Sequence, residues 1–173
     1  MKYSLVRDVT PPTRANKTDA GIDFYIPLDL STEIMIEKNK DVKNSCNTYI
    51  PNKKKLIESI IIEPQSRILI PSGVHVNLPE AHALIAFNKS GIAHKKGLIV
   101  GSCVVDEGYQ GEIHISLINT TNNNVFISAG DKIVQFILMS INNMDIERVD
   151  KLDKLYTLKS NRGSGGFGST GDK

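Results

Sequence analysis

The sequence is short of several things, and each shortage narrows the field. Tryptophan is absent, and aromatic residues make up only 6% of the 173 residues. Isoleucine and valine are abundant instead, which favours β structure. Charge of one sign is not in excess: 21 Lys and Arg face 19 Asp and Glu. Such a balance demands neither a nucleic-acid duplex nor an acidic membrane as partner. The two cysteines, Cys46 and Cys103, form no CxxC pair and no Cys/His cluster. Zinc and a disulfide scaffold are therefore not suggested, and a reducing, cytoplasmic setting is expected. No apolar run approaches the roughly 20 residues of a membrane span. The opening MKYSLVRD is too short and too charged for a signal peptide. The length fits one domain with its own core.

What is present is a series of short apolar runs cut by turn residues. Ser59 to Glu63, Arg67 to Leu78 and His82 to Phe87 follow one another, with turns at Pro64, Pro71-Ser72-Gly73 and Pro79. Glu112 to Asn119 alternates, with Ile113, Ile115 and Leu117 on one face and His114 and Ser116 on the other. After the loop Thr120 to Asn124 the pattern resumes at Val125 to Ile127 and at Lys132 to Ile141. Short strands at near-regular spacing predict an all-β sandwich or barrel. Asp145 to Leu158 reads either as a helix, with Ile146, Val149 and Leu152 at helical spacing, or as an extended connector. Two regions break the series. Ser31 to Glu58 is charged and rich in Asn and Lys, and reads as an inserted arm or loop. From Lys159 onward the chain is rich in Gly and Ser, expected to be mobile unless docked.

The polar clusters lie at strand ends. Asn88-Lys89-Ser90-Gly91 joins a cation, a hydroxyl and a glycine. It suits a phosphate, whose oxygens take backbone N–H and Lys/Ser donors, and equally an ordinary turn. Val104 to Glu112 places Asp106 and Glu107 in a Gly-bounded turn, with Tyr109 just beyond. A carboxylate there can orient a water or accept a sugar hydroxyl, and a tyrosine ring can lie against a sugar or base. A solvated turn has the same composition. Asp19-Ala20-Gly21-Ile22-Asp23 could serve a hydrated Mg²⁺, which uses few carboxylates, or simply enter a strand. Gln135 interrupts the apolar strand after Gly130-Asp131, and a buried amide there needs partners. The tail RGSGGFGSTG lacks the GK[ST] of a Walker loop. A single RGG-like repeat is thin support for RNA binding. Its glycines and hydroxyls could wrap a terminal phosphate, with Arg162 neutralising it and Phe167 covering a flat base.

Taken in order, five segments resemble the five motifs of the trimeric dUTPase family. DAGIDFY is similar to AGxDL, NKSGIAHKKG to PRSGLAxKxG, and GSCVVDEGYQGEI to GxGVIDxxYxGE. GDKIVQFIL is similar to GDRIAQLI, and RGSGGFGSTG matches the fifth motif without a change. The resemblance spans Asp19 to Gly171 apart from Ser31 to Glu58. It implies a jelly-roll-like β barrel over residues 1–158, a flexible C-terminal lid over 159–173, and a homotrimer with exchange of that arm. It implies hydrolysis of dUTP to dUMP and pyrophosphate by water attack on the α-phosphorus, with Mg²⁺ as cofactor. Such an activity keeps uracil out of DNA and supplies dUMP for dTTP synthesis.

By motif match, Asp106 is expected to orient the water and hold the 3′-hydroxyl. Tyr109 is expected to lie under the deoxyribose and exclude a ribose 2′-hydroxyl. The main chain of Ser102, Val104 and Val105, with the backbone near His114, would read uracil. Lys89, Ser90 and Gly91 would grip the phosphates, assisted by Gln135, and Asp23 would hold waters on Mg²⁺. Arg162 would pair with the γ-phosphate and Phe167 would stack on uracil, with Gly168, Ser169 and Thr170 closing the lid. Three positions depart from the pattern. Lys89 replaces an arginine, keeping the charge without the fork. Cys103 replaces a glycine, and Gly108 stands where a second acid is frequent. Two other readings compete. A dCTP deaminase shares the fold but needs a glutamate where Ser116 stands. A nucleotide-gated regulatory protein could use Ser31 to Glu58, with its Lys53-Lys54-Lys55 run, to meet a protein partner.

Overall fold

The computed structural model describes residues 1–40, 56–156, 158, 160, 163 and 164. Arg162, Phe167, Gly168, Ser169, Thr170, Cys46 and Lys53-Lys54-Lys55 lie outside the described residues. The chain divides into two units, Met1–Asn142 and Asn143–Lys173.

In the first unit the order is β1 (Lys2–Leu5), β2 (Ile22–Tyr25), α1 (Thr32–Asn39), β3 (Ser59–Ile62), β4 (Arg67–Pro71), β5 (Val74–Asn77) and β6 (His82–Asn88). There follow α2 (Ser90–Lys96), β7 (Leu98–Val100), β8 (Val104–Val105), β9 (His114–Asn119), β10 (Val125–Ser128) and β11 (Lys132–Ser140). The mostly-β class is as expected. The described strands form antiparallel sheets ordered β2-β11-β6-β8, β4-β9-β7, β1-β5 and β10-β3. None closes into a hydrogen-bonded barrel, because most strands are short and tight turns end their ladders before a neighbour is reached. The packed interior is shared nonetheless. Strand β9 alternates as its sequence implies, with Ile115, Leu117 and Asn119 buried and His114, Ser116 and Ile118 half-buried. Ile60, Ile62, Ile68, Ile70, Leu84 and Ile113 are fully buried with Phe24. Phe24 and Phe136 pack with ring centroids 4.5 Å apart, tilted by 51°, so the few aromatics are spent at the centre.

Ser31 to Glu58 differs from the expected arm or loop at its described start. Residues Thr32–Asn39 form a helix, and Ser31 caps it by accepting from the Ile34 N–H. Thr32, Met35 and Asn39 share one face and are buried. Two of these three are polar, so no apolar stripe announced the helix. Asn39 donates through Nδ2 to the Met35 and Leu69 carbonyls at 2.9 Å each, and its Oδ1 accepts from the Leu69 N–H at 2.8 Å.

In the second unit, α3 (Leu152–Leu155) is a single helical turn. Residues 143–149 have no regular structure, so the connector reading of Asp145 to Leu158 describes most of the stretch better than the helix. Ile146 and Leu152 are exposed, and a helix that buries no apolar face is marginal in water.

Candidate active site

Strand β8 pairs with β6 through Val105↔Leu84 and Val104↔Ile85, and the Cys103 carbonyl accepts from the Ala86 N–H at 2.7 Å. This pairing lays Ser102 to Asp106 along the margin of the four-stranded sheet. Asp106 begins a turn closed by the Tyr109 N–H to the Asp106 carbonyl at 3.1 Å. A cavity of about 220 Å³ opens here, lined by Leu69, Ser102, Val104, Val105, Asp106, Tyr109, Ile113 and His114. Every residue expected from the third motif thus faces one space. Among the described residues no side chain donates to the Asp106 carboxylate, which leaves it available to a water or a hydroxyl. Cys103 does not line the cavity, and its exposed thiol leaves the wall to its neighbours.

Two residues that the motif reading passed over hold this turn. Glu107 accepts from the Ala81 N–H at 2.8 Å, tying the Asp106 turn to the left-handed residue (φ 54°) that precedes β6. Glu112 is the second. Its carboxylate accepts from Arg7 Nε at 2.7 Å, Arg7 Nη2 at 3.0 Å and the Gly73 N–H at 2.7 Å. Burial pushes the Glu112 pKa up, but the Arg7 hydrogen bond, the Gly73 N–H and the Arg7 and His114 charges outweigh it and leave the carboxyl below its ordinary range. The same hydrogen bond raises the Arg7 pKa. The Glu112 role appears only in a pairing across 105 residues and the Glu107 role only in one across 26, so local sequence carries no signal of them.

The remaining candidates form a second cluster. Asp23, with a side chain only 8% exposed, receives Lys89 Nζ on Oδ1 and Lys132 Nζ at 3.3 Å on Oδ2. Gln135 lies opposite both Asp23 and Phe87 in the ladder and donates to the Asn88 carbonyl at 2.9 Å. Gly21 permits this, since a Cβ there would meet the Gln135 side chain. Ser90 and Gly91 open α2, where first-turn N–H groups lack intrahelical partners. A Cβ on Gly91 would meet nothing within 4 Å, so nothing in this chain requires glycine there. Lys132 is the cation that sequence reading missed.

The two clusters are far apart. Asp106 and Asp23 are separated by three strand spacings of about 4.8 Å across the sheet and four residues of about 3.3 Å along it, a diagonal of roughly 20 Å.

Comparison with known proteins bears directly on this arrangement. The dUTPase family model matches residues 55–171. The chain belongs to the dUTPase family. It is 37% identical over 114 residues to the deoxyuridine 5'-triphosphate nucleotidohydrolase of Finegoldia magna, covering 65% of this chain and 76% of that protein. It is 36% identical over 121 residues to that of Hahella chejuensis, covering 68% and 76%. The Staphylococcus bacteriophage 80alpha dUTPase solved with dUPNHPP has the same fold, with a TM-score of 0.72 at 22% identity over 98% of this chain and 97% of that one. The dUTPase of phage phi11 of S. aureus, solved to visualise its species-specific insert, gives 0.65 at 20% identity over 88% and 97%. The family match begins at residue 55, so residues 1–54, with both Asp23 and the described helix α1, stand outside it. Where a dCTP deaminase would need a glutamate, Ser116 pairs with Leu69 in the β4–β9 ladder. Among the described residues, no helix is long and apolar enough to cross a membrane.

Proposed function

We propose that this chain hydrolyses dUTP to dUMP and pyrophosphate in the cavity around Asp106, within an assembly of three copies. One observation carries the reading: Ser102, Val104, Val105, Asp106, Tyr109 and His114 line a single cavity. Its volume of about 220 Å³ is below the ~300 Å³ at which ordinary ligand pockets begin. It suits the nucleoside and leaves the triphosphate outside. Main-chain groups of Ser102 to Val105 and of the strand at His114 read the uracil edge, and Tyr109 lies against the deoxyribose. Asp106 accepts a proton from a water that attacks the α-phosphorus. The bond to the bridging oxygen breaks and pyrophosphate leaves with the electron pair. Holding the water in line and neutralising the phosphates supply most of the acceleration.

The phosphates need cations, and those of this chain lie with Asp23, roughly 20 Å from Asp106. In this reading no single copy brings both to one nucleotide: a second copy supplies Lys89, Ser90, Gly91 and Gln135, and the assembly is the homotrimer with shared sites that the family resemblance implies. Arg162 then meets the γ-phosphate and Phe167 the base, with Gly168, Ser169 and Thr170 closing over them. Among the described residues no three His, Cys, Asp or Glu gather as a metal cage. Asp23 is a single buried carboxylate whose oxygens receive Lys89 and Lys132, so it would hold Mg²⁺ only through the metal's waters, with those ammonium groups turned to the phosphates. When bound there, Mg²⁺ would neutralise phosphate charge, and Asp23 would accept hydrogen bonds from its waters.

The test is pyrophosphate release with dUTP, dTTP, dCTP and UTP, with and without Mg²⁺. Release confined to dUTP and enhanced by Mg²⁺ is expected. Formation of dUTP from dCTP would replace the reading with deamination, and silence on all four would end it.

A further inference from the structure

We propose that the Arg7–Glu112 ion pair is a positioning pair that sets discrimination between deoxyribose and ribose. The proposal rests on the reading of the Asp106 cavity as the nucleoside site. Glu112 works at both of its ends. Its carboxylate is clamped by the Arg7 fork and the Gly73 N–H, two parallel charge-assisted bonds and one more that fix its plane. Its backbone carbonyl accepts from the Tyr109 hydroxyl at 2.9 Å and pairs with His114 Nδ1 at 2.8 Å. Tyr109 and His114 both line the cavity. The carbonyl can serve them only while the Gly111-Glu112-Ile113 backbone stays in place; the Ile113 N–H to the Val74 carbonyl at 2.9 Å holds its far side, and the clamp on the carboxylate holds the Glu112 side.

The tyrosine depends on this carbonyl more than burial suggests. Its ring is 43% exposed, so packing alone does not fix its torsions. The ring lies across Gly111, where a Cβ would come within 3.1 Å of Cε2 and nearer still to the hydroxyl end. Among the described residues the tip is then held by its bond to Glu112. Arg7 comes from the far end of the sequence, two residues past β1, and is itself stitched down by the Val6 N–H to the Gly73 carbonyl at 2.9 Å. The turn at Gly73 and the turn at Tyr109 are therefore one mechanical unit joined by a salt bridge with side chains 16% and 12% exposed. Loss of Arg7 leaves the carboxylate with one donor, so the peptide at Glu112 can pivot about the remaining Ile113–Val74 bond and the ring can swing. A ring that swings leaves room for a 2′-hydroxyl.

Arg7→Met keeps the length and the apolar stem but removes the fork. The measurement is kcat/KM for dUTP and for UTP, taken with the melting temperature. The dUTP:UTP ratio should fall by about tenfold or more, with the loss coming largely from a gain on UTP. Arg7→Lys, which restores one donor, should recover part of it. An unchanged ratio in a folded Arg7→Met protein would overturn the proposal and leave the pair purely structural, since a loss of stability alone lowers both activities together. If Arg7→Met does not fold, Tyr109→Phe decides: it keeps the ring, removes the bond to Glu112, and should lower the ratio in the same direction. A Tyr109→Phe enzyme with the wild-type ratio would equally overturn it. Wild-type protein that does not hydrolyse dUTP would remove the site reading itself, a failure visible before any variant is made.

Discussion

Around Asp106 the wall is held by directional bonds, at the Cys103 carbonyl, Glu107, the Glu112 carbonyl and the Arg7–Glu112 fork, whereas around Asp23 two ammonium groups share one carboxylate. The first arrangement fixes a shape. It suits a base and a sugar, whose differences are single hydroxyl or methyl groups, because a rigid wall rejects what does not fit. The second arrangement stores charge on flexible stems. It suits phosphates, where the number of cations matters more than the angle at which they arrive, and lysine is a compact point charge on a mobile chain. The substitution of Lys89 for the family's arginine falls in this second region, where loss of the fork geometry is best tolerated.

The sharpest way to break the comparison is at Asp106. Asp106→Asn should retain dUTP binding but lose about a thousandfold in turnover, the scale of general-base removal. Near-normal pyrophosphate release would move the catalytic duty elsewhere. At the other region, Lys89→Ala should cost about a hundredfold through one lost phosphate donor. In the proposed assembly the two defects lie in clusters that meet only between copies. Unfolding and refolding Asp106→Asn and Lys89→Ala chains together should therefore restore activity that neither has alone, read as pyrophosphate release by the mixture. A mixture no better than its parts would confine the site to one chain.

The smallest expected effect concerns stability. Glu112 has a lowered pKa in the fold, so its contribution is complete above the unfolded-state value and is lost as pH falls through the folded one. Glu112→Gln should then cost about 1–3 kcal/mol at neutral pH. The gap to wild type should close in acid, well below the ordinary glutamate value of about 4.3. Urea denaturation at both pH values measures it, and a gap that widens in acid would contradict the lowered pKa.

Much of this was legible in the chain itself. Alternation at Glu112 to Asn119 and the turn at Pro71-Ser72-Gly73 located strands because period and breakers are local properties. The third-motif residues could be assigned to one space because they lie within a few residues of each other on β8, its turn and β9. What escaped notice depended on distance along the chain. Arg7 and Glu112 meet across 105 residues, and Glu107 reaches back to Ala81. Lys132 gained meaning only when β11 was laid beside β2. Helix α1 escaped because its buried face carries Thr32 and Asn39 beside a single Met35. The separation of Asp23 from Asp106 could not be read from motif order, since order says nothing of which end of a strand each motif occupies.

Asn39 has a consequence beyond anchoring its helix. In the β4-β9-β7 sheet, β4 is the outermost strand, and the Leu69 N–H and carbonyl point away from β9, the direction in which a foreign strand would add. A side-chain amide presents the same donor and acceptor as a peptide group, and here it fills both bonds at once. One residue thus impersonates a missing neighbour and denies that rim to edge-on aggregation.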